Sequence, residues 1–287
     1  MLCHICDYTK KLIEKCPTCW DEETTRIENK EEETDYGILK AQGSGTEKVI
    51  DELSFLFPNA RLIRMDRDTV GKKDSYRKIL TAMKNKEADI LVGTQMIAKG
   101  HDLPGVTLVG IVDADVGLHM PDFRSSEKAF QLITQVSGRA GRGEMKGKVI
   151  LQTRQPDHPT IVAAVTGRFK AFARFEINNR TSLNYPPYGN ILRAIISSPN
   201  KQDALNASIA LKEFFKKNNT DEKIKILGPS PCFYEKVRNR YRWNLVFKSS
   251  SSKSLSILAH KLNAWRKVVK GYKDLRLGVD VDAVDMF

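Results

Sequence analysis

A chain of 287 residues suffices for about two domains or one large one, and a 41% hydrophobic content supports buried cores. No apolar run approaches the roughly 20 residues that cross a bilayer, and the opening MLCHICDYTKK has no apolar segment after a basic start. Neither a secretory signal nor a membrane partner is therefore expected, and a cytoplasmic protein is. The formal net charge of +12 is unevenly spread: residues 180–287 carry 20 Lys+Arg against 9 Asp+Glu, and the preceding residues 27 against 26. That imbalance predicts a polyanion partner for the last third, the alternative being a lysine-rich solvated surface.

In chain order, Cys3-x-x-Cys6 and Cys16-x-x-Cys19 come first. In a cytoplasmic protein, thiols at this spacing argue for metal rather than disulfides, since two thiolates two residues apart reach one tetrahedral Zn²⁺. Cys232 stands alone and is expected to be a small buried side chain. The acidic WDEETTRIENKEEETD, residues 20–35, reads as a solvated linker or a short polar helix. YGILKA then predicts a strand, GSGT a turn, and TEKVIDELSFLF a helix with apolar Val49, Ile50, Leu53 and Leu56. ARLIRMD, ADILVGT, VTLVGIVDAD and GKVILQT read as buried strands. SYRKILTAMKN, SSEKAFQLITQV and most of HPTIVAAVTGRFKAFARFEINNR read as helices. Apolar strands alternating with amphipathic helices predict an α/β domain with one parallel sheet covered on both faces.

LNYPPYG, residues 183–189, marks a boundary. Beyond it ILRAIISS, KIKILG, YRWNLVFKS and DLRLGVDVDAV read as strands, and KQDALNASIALKEFFKK and SKSLSILAHKLNAWRKVV as helices. The order βαββαβ predicts a basic ferredoxin-like α+β domain. Three parts follow: a zinc-binding segment with its acidic linker over 1–35, which the resemblance named below implies is partial, an α/β lobe over 36–180, and the basic domain over 181–287.

Such sheets place ligands at the carboxyl ends of their strands. There the chain offers Gly93 and Thr94, whose amides and hydroxyl suit a phosphate, and the aspartates Asp113 and Asp115, which more often bond locally than hold metal. QVSGRAGRGE sets Arg139 and Arg142 among glycines that leave both guanidinium groups unobstructed, an arrangement suited to charge on a transferring phosphoryl group. In the basic domain Arg238, Arg240 and Arg242 alternate with Tyr241 and Trp243 along one predicted strand, arginines on one face and aromatics on the other. Cations beside aromatics suit single-stranded nucleic acid or an acidic protein tail; the plainer reading is a core tryptophan with solvated arginines.

Together GTQMIAKGHDLPGVTLVGIVDADVGLHMPDFRSSEKAFQLITQVSGRAGRGE resembles the second RecA-like lobe of superfamily-two helicases, and more narrowly the primosomal replication-restart helicases. The likeness extends to CHIC and CPTC, FPNARLIRMDRDT, LNYPPYG, LGPSP, RYRWNLVFK and GVDVD. It implies an ATP-dependent 3′-to-5′ DNA helicase that acts on forked and single-stranded DNA, restarts stalled forks and assembles the primosome. Single-strand-binding protein and other primosome proteins are its implied partners. By the same resemblance Gly93, Thr94, Gln95, Lys99 and Asp102 couple nucleotide state to DNA. Arg139 and Arg142 contact the γ-phosphate with help from Gln135, and Arg238, Arg240, Arg242, Tyr241 and Trp243 bind DNA or a partner. Cys3, Cys6, Cys16 and Cys19 are either halves of two zinc sites or the four ligands of one.

Departures accompany the likeness: Trp20 stands where a glycine is usual, and Ala283 where a proline is. No GxxxxGK[ST] occurs in the 287 residues, so ATP and Mg²⁺ are expected only with a first motor lobe supplied from elsewhere, and this chain alone is expected to hydrolyse no ATP. The competing expectations are a non-enzymatic DNA-binding adaptor that reuses a helicase lobe, and an inert truncated product.

Overall fold

The computed structural model describes residues 45–66, 75–94, 103, 105–140, 147–219, 221, 223–269, 271–272 and 274–284. The predicted strand YGILKA and all four paired cysteines lie outside them. From Thr46 onward the chain forms one compact unit.

Helix α1 (Thr46–Leu56) is followed by strand β1 (Leu62–Met65), helix α2 (Ser75–Lys84) and strand β2 (Ile90–Gly93). β1 and β2 pair in parallel with Met65 opposite Gly93. Polar contacts dock α1 on β1: Thr46 Oγ1 donates to Asp66 Oδ2 at 2.9 Å, and Arg64 pairs with Glu47 at 2.7 Å and with Asp66. β3 (Leu108–Ile111) and β4 (Lys148–Leu151) form a second parallel pair. Between them lie the short α3 (Asp115–Leu118) and α4 (Ser125–Ser137); α5 (Pro159–Val165) and α6 (Phe169–Leu183) follow.

Two points differ from the expected single, doubly covered sheet. Among the described residues the four strands form two separate two-stranded sheets, and β3 is half-buried on one face and exposed on the other. Ile111 and Leu151 pack with Phe130, Ile133, Ile161 and Phe172, where the Phe130 and Phe172 rings stack at 4.2 Å. The alternate residues Leu108 and Ile150 are exposed, because period-2 pleating sends them to the opposite side. The long helical stretch predicted after residue 158 is two helices, broken at Gly167, whose φ of +66° interrupts the α conformation.

The basic domain holds β5 (Asn190–Ser198), α7 (Lys201–Asn218), β6 (Lys225–Val237), β7 (Arg240–Ser249), α8 (Ser252–Val268) and β8 (Arg276–Val281). Its strands order as β6-β7-β5-β8, every pair antiparallel. Both helices have side-chain N-caps: Asn200 accepts from the amides of Gln202 and Asp203, and Ser251 from Ser254. Leu192, Ala194 and Ile196 of β5 and Leu245 and Phe247 of β7 bury against Leu211, Phe215, Leu255, Leu262 and Trp265. β6 runs to Val237, well beyond the predicted KIKILG, and departs from regular register between Leu227 and Ser230 and between Pro231 and Lys236. Gly228 is required at the first irregularity: its φ is +98°, and a Cβ there would meet Asn244 O at 2.7 Å. Among the described residues no helix is long and apolar enough to cross a membrane.

Candidate nucleotide and nucleic-acid sites

Gly93 closes β2 and Thr94 follows it, exposed, at the carboxyl end of the strand. Gln95, Lys99 and Asp102 lie outside the described residues, as does Arg142. Helix α4 carries Gln135 exposed in its last turn and ends at Gly138, whose amide donates to Thr134 O at 3.0 Å. Arg139 comes next, its amide on Val136 O at 3.0 Å and its side chain half-buried. Its guanidinium acts on Tyr76 of α2: burial raises that phenol above its usual range, and the Arg139 charge works against the rise. Of the residues expected to face phosphate, those described lie at the end of α4 and at the end of β2. Asp115 plays the local role expected of it, accepting from Thr153 Oγ1 at 2.6 Å and the Arg154 amide at 2.7 Å. Those bonds hold its carboxyl below the ordinary range.

On the basic domain the face of β7 opposite the helices carries Arg240, Arg242, Asn244, Val246 and Lys248, and the facing residues of β5 are Ile191, Arg193, Ile195 and Ser197. A cavity of about 420 Å³ opens at the turn end of this face, lined by Ser197, Arg238, Arg240, Arg242, Asp274 and Arg276 among others. Four guanidinium groups against one carboxylate make it a place for an anion.

The arginines are not equivalent. Arg238 is not on the strand as expected: Arg238 and Asn239 form the two-residue turn between β6 and β7, with φ of 49° and 58°. Positive φ at both central positions is the type I′ geometry that matches strand twist. Arg240 is committed to structure. Its Nη1 donates to Asp274 Oδ2 at 2.5 Å, Nη2 to Ser197 O at 2.9 Å and to Asp274 O, and Nε to Ser197 Oγ at 3.3 Å. It pins β5 to the turn preceding β8 and has little left for a ligand. Arg242 is half-buried, whereas Arg238 and Arg276 are exposed. Among the described residues Arg276 has a long 3.8 Å pairing with Asp274.

Tyr241 and Trp243 face away from this cavity, on the helix side, and Lys236 Nζ lies 4.8 Å from the Tyr241 ring centroid. The cavity thus supplies charge without stacking. Sequence reasoning missed Arg276 and Ser197, which only strand register brings beside Arg242. It also missed the exposed Phe233 and Tyr234 of β6, whose rings meet edge to face at 4.9 Å. Arg193, deeper on the same face, is 3% exposed and donates to Asn244 Oδ1 at 3.2 Å. Burial lowers its pKa, and burial raises that of Cys232 next to it.

Comparison with known proteins places both regions. Residues 45–144 match the helicase conserved C-terminal domain, and residues 181–284 the primosomal protein N C-terminal domain. The chain is 40% identical over 282 residues to the replication restart protein PriA of Bacillus subtilis, covering 98% of this chain and 33% of that protein. It is 40% identical over 249 residues to the PriA of Synechocystis (87% and 28%) and 35% over 292 residues to that of Chlamydia pneumoniae (100% and 36%). Along nearly its whole length the chain is similar to PriA proteins. It spans about a third of the length of these PriA relatives, with Gly93, Thr94, Gln135 and Arg139 inside the helicase match and the arginine cavity inside the primosomal match.

Proposed function

We propose that this chain is the second motor lobe and basic C-terminal domain of an ATP-dependent 3′-to-5′ DNA helicase that restarts stalled replication forks and assembles the primosome. The observation that carries the reading is Arg139 at the end of α4, within a helicase domain match, in the same compact unit as a basic primosomal domain. Arg139 and Arg142, oriented by Gln135, neutralise charge developing on the γ-phosphate of ATP. Gly93, Thr94, Gln95, Lys99 and Asp102 couple nucleotide state to the DNA backbone. The phosphate loop and the Mg²⁺ site come from a first lobe. Zn²⁺ fits the donor set of Cys3, Cys6, Cys16 and Cys19, four thiols in two CxxC pairs. The ferredoxin-like reading of the basic domain is supported by its antiparallel β6-β7-β5-β8 order. In function the protein is cytoplasmic and works with single-strand-binding protein and other primosome proteins.

ATP turnover on forked DNA tests the motor. A polypeptide carrying both lobes should hydrolyse ATP with DNA stimulation, and this chain alone should not. Turnover by this chain alone would overturn the division of labour; none by the two-lobed polypeptide would favour the adaptor.

The arginine cavity is the DNA-facing part of the basic domain, with Arg238, Arg242 and Arg276 gripping backbone phosphates. Arg242→Glu with Arg276→Glu should weaken oligothymidylate binding about tenfold or more, each lost contact reducing the salt slope by about 0.7. Arg240→Gln should instead lower the melting temperature, since Arg240 is spent on Asp274 and Ser197. Fluorescence anisotropy across a salt series reads the first effect, and affinity unchanged in the double variant would remove the cavity from the DNA path.

A further inference from the structure

We propose that Arg180 is a positioning residue that fixes helix α4, and with it Gln135 and Arg139, against the basic domain. The inference rests on the reading of Arg139 given above. A single guanidinium joins several segments here. Arg180 Nη2 donates to Glu127 Oε2 of α4 at 2.7 Å, Nε to Glu176 Oε1 of its own helix at 2.9 Å, and Nη1 to Pro186 O of the connecting segment at 3.3 Å. Its Cζ lies 5.4 Å from the centroid of the Phe123 ring just ahead of α4. Only 15% of the Arg180 side chain is exposed. Arg124 stands 3.6 Å from the same Glu127 oxygen, so two cations face the two carboxylates. Burial by itself would raise the Glu127 pKa, but Arg180 and Arg124 outweigh it and hold the carboxyl below its usual range.

From this clamp the contact continues into the basic domain. The Phe123 and Tyr185 rings stack at 5.3 Å with 9° between their planes. Lys248 Nζ of β7 lies 3.7 Å from the Tyr185 centroid and donates to Leu183 O. Ile191, Val246 and Ala283 are buried against Phe123 and Tyr185. Lys248 shares its face of β7 with Arg242, six residues or about 20 Å along the strand. At the other end Glu127 and Gln135 are eight residues apart on α4, about 12 Å of continuous helix.

A merely cohesive contact would be served by apolar packing. Ion pairs held in a planar fork are directional, and Arg180 engages α4 at a carboxylate near its first turn, which opposes rotation of the helix about its axis. The turn at 138–140 follows the helix, so the attitude of α4 sets where Arg139 points.

Hydrogen–deuterium exchange on this chain tests the clamp without requiring activity. Arg180→Gln and Glu127→Gln should each speed exchange of residues 134–140 about tenfold while β5 and β7 stay protected. Glu176→Gln, which cuts only the arm within α6, should leave residues 134–140 close to wild type. Unchanged exchange in both clamp variants, or an equal increase in Glu176→Gln, would overturn the proposal; Glu127→Gln serves if Arg180→Gln fails to fold. In the two-lobed polypeptide Arg180→Gln should lower kcat for ATP about tenfold with KM unchanged, and an undiminished kcat would also overturn it. If the wild-type polypeptide turns over no ATP, the helicase reading fails and the exchange result alone decides the role of Arg180.

Discussion

Arg139→Ala should lower ATP turnover by the two-lobed motor about a thousandfold or more while nucleotide still binds. The size of the effect follows from where the charge appears. Phosphoryl transfer spreads negative charge over the equatorial oxygens, and a guanidinium already aimed there stabilises the transition state more than the ground state. The loss should therefore fall on kcat, with little change in KM. Arg139 is suited to this role by its place: it follows a helix whose Ala129, Phe130 and Ile133 are buried, so its backbone starts from a fixed point. Its side chain is half-buried, which limits the directions the guanidinium can take. Lysine at 139 should recover only part of the rate, because it keeps the charge and loses the planar fork. Steady-state hydrolysis with saturating DNA, beside binding of a fluorescent nucleotide, separates the two quantities. Turnover within threefold of wild type would assign Arg139 to structure.

Most elements were legible because local pattern determines them. The 3.6-residue spacing of Ala129, Phe130 and Ile133 marks α4, and the short isoleucine-rich run ILRAIISS marks β5. What escaped depends on partners distant in sequence. An exposed face on β3 looks the same as a buried one in VTLVGIVDAD, since both are written in apolar residues. The RNRYR stretch reads as one alternating strand, and only the type I′ turn moves Arg238 out of it. Arg240 and Arg242 have the same chemistry two residues apart, yet Asp274 and Ser197 claim the first alone. Arg276 belongs with Arg242 because β8 lies on the far side of β5, a matter of strand order that composition does not encode. The Arg180–Glu127 pair spans 53 residues, and nothing local in ARFEINNR foretells it. The charged face of the basic domain was thus anticipated, while the division of labour among its arginines was not.

Phe247→Ala should cost the basic domain about 3–5 kcal/mol, the largest stability effect expected of any single side chain here. Phe247 is fully buried at the centre of the sheet, opposite Leu192 of β5 and Ile226 of β6. Its ring meets Phe215 of α7 at 5.0 Å and 62°, an edge-to-face contact that adds to the area term. Truncation would leave a void between sheet and helices that β7, paired on both sides, is unable to close by shifting. Domains of this kind are stable by about 5–15 kcal/mol, so the variant would spend much of that margin. Ile209→Ala supplies the contrast: that side chain on the outer face of α7 is 45% exposed, and its loss should change stability by about 0.5 kcal/mol or less. Urea unfolding followed by far-ultraviolet circular dichroism measures both, with the slope unchanged if the denatured state is the same. A midpoint for Phe247→Ala close to that of wild type would mean that the sheet–helix core is not what holds the domain together. The Phe123–Tyr185 cluster on the opposite face of the sheet would then have to carry that load, and Tyr185→Ala, not Phe247→Ala, would be the variant that unfolds it.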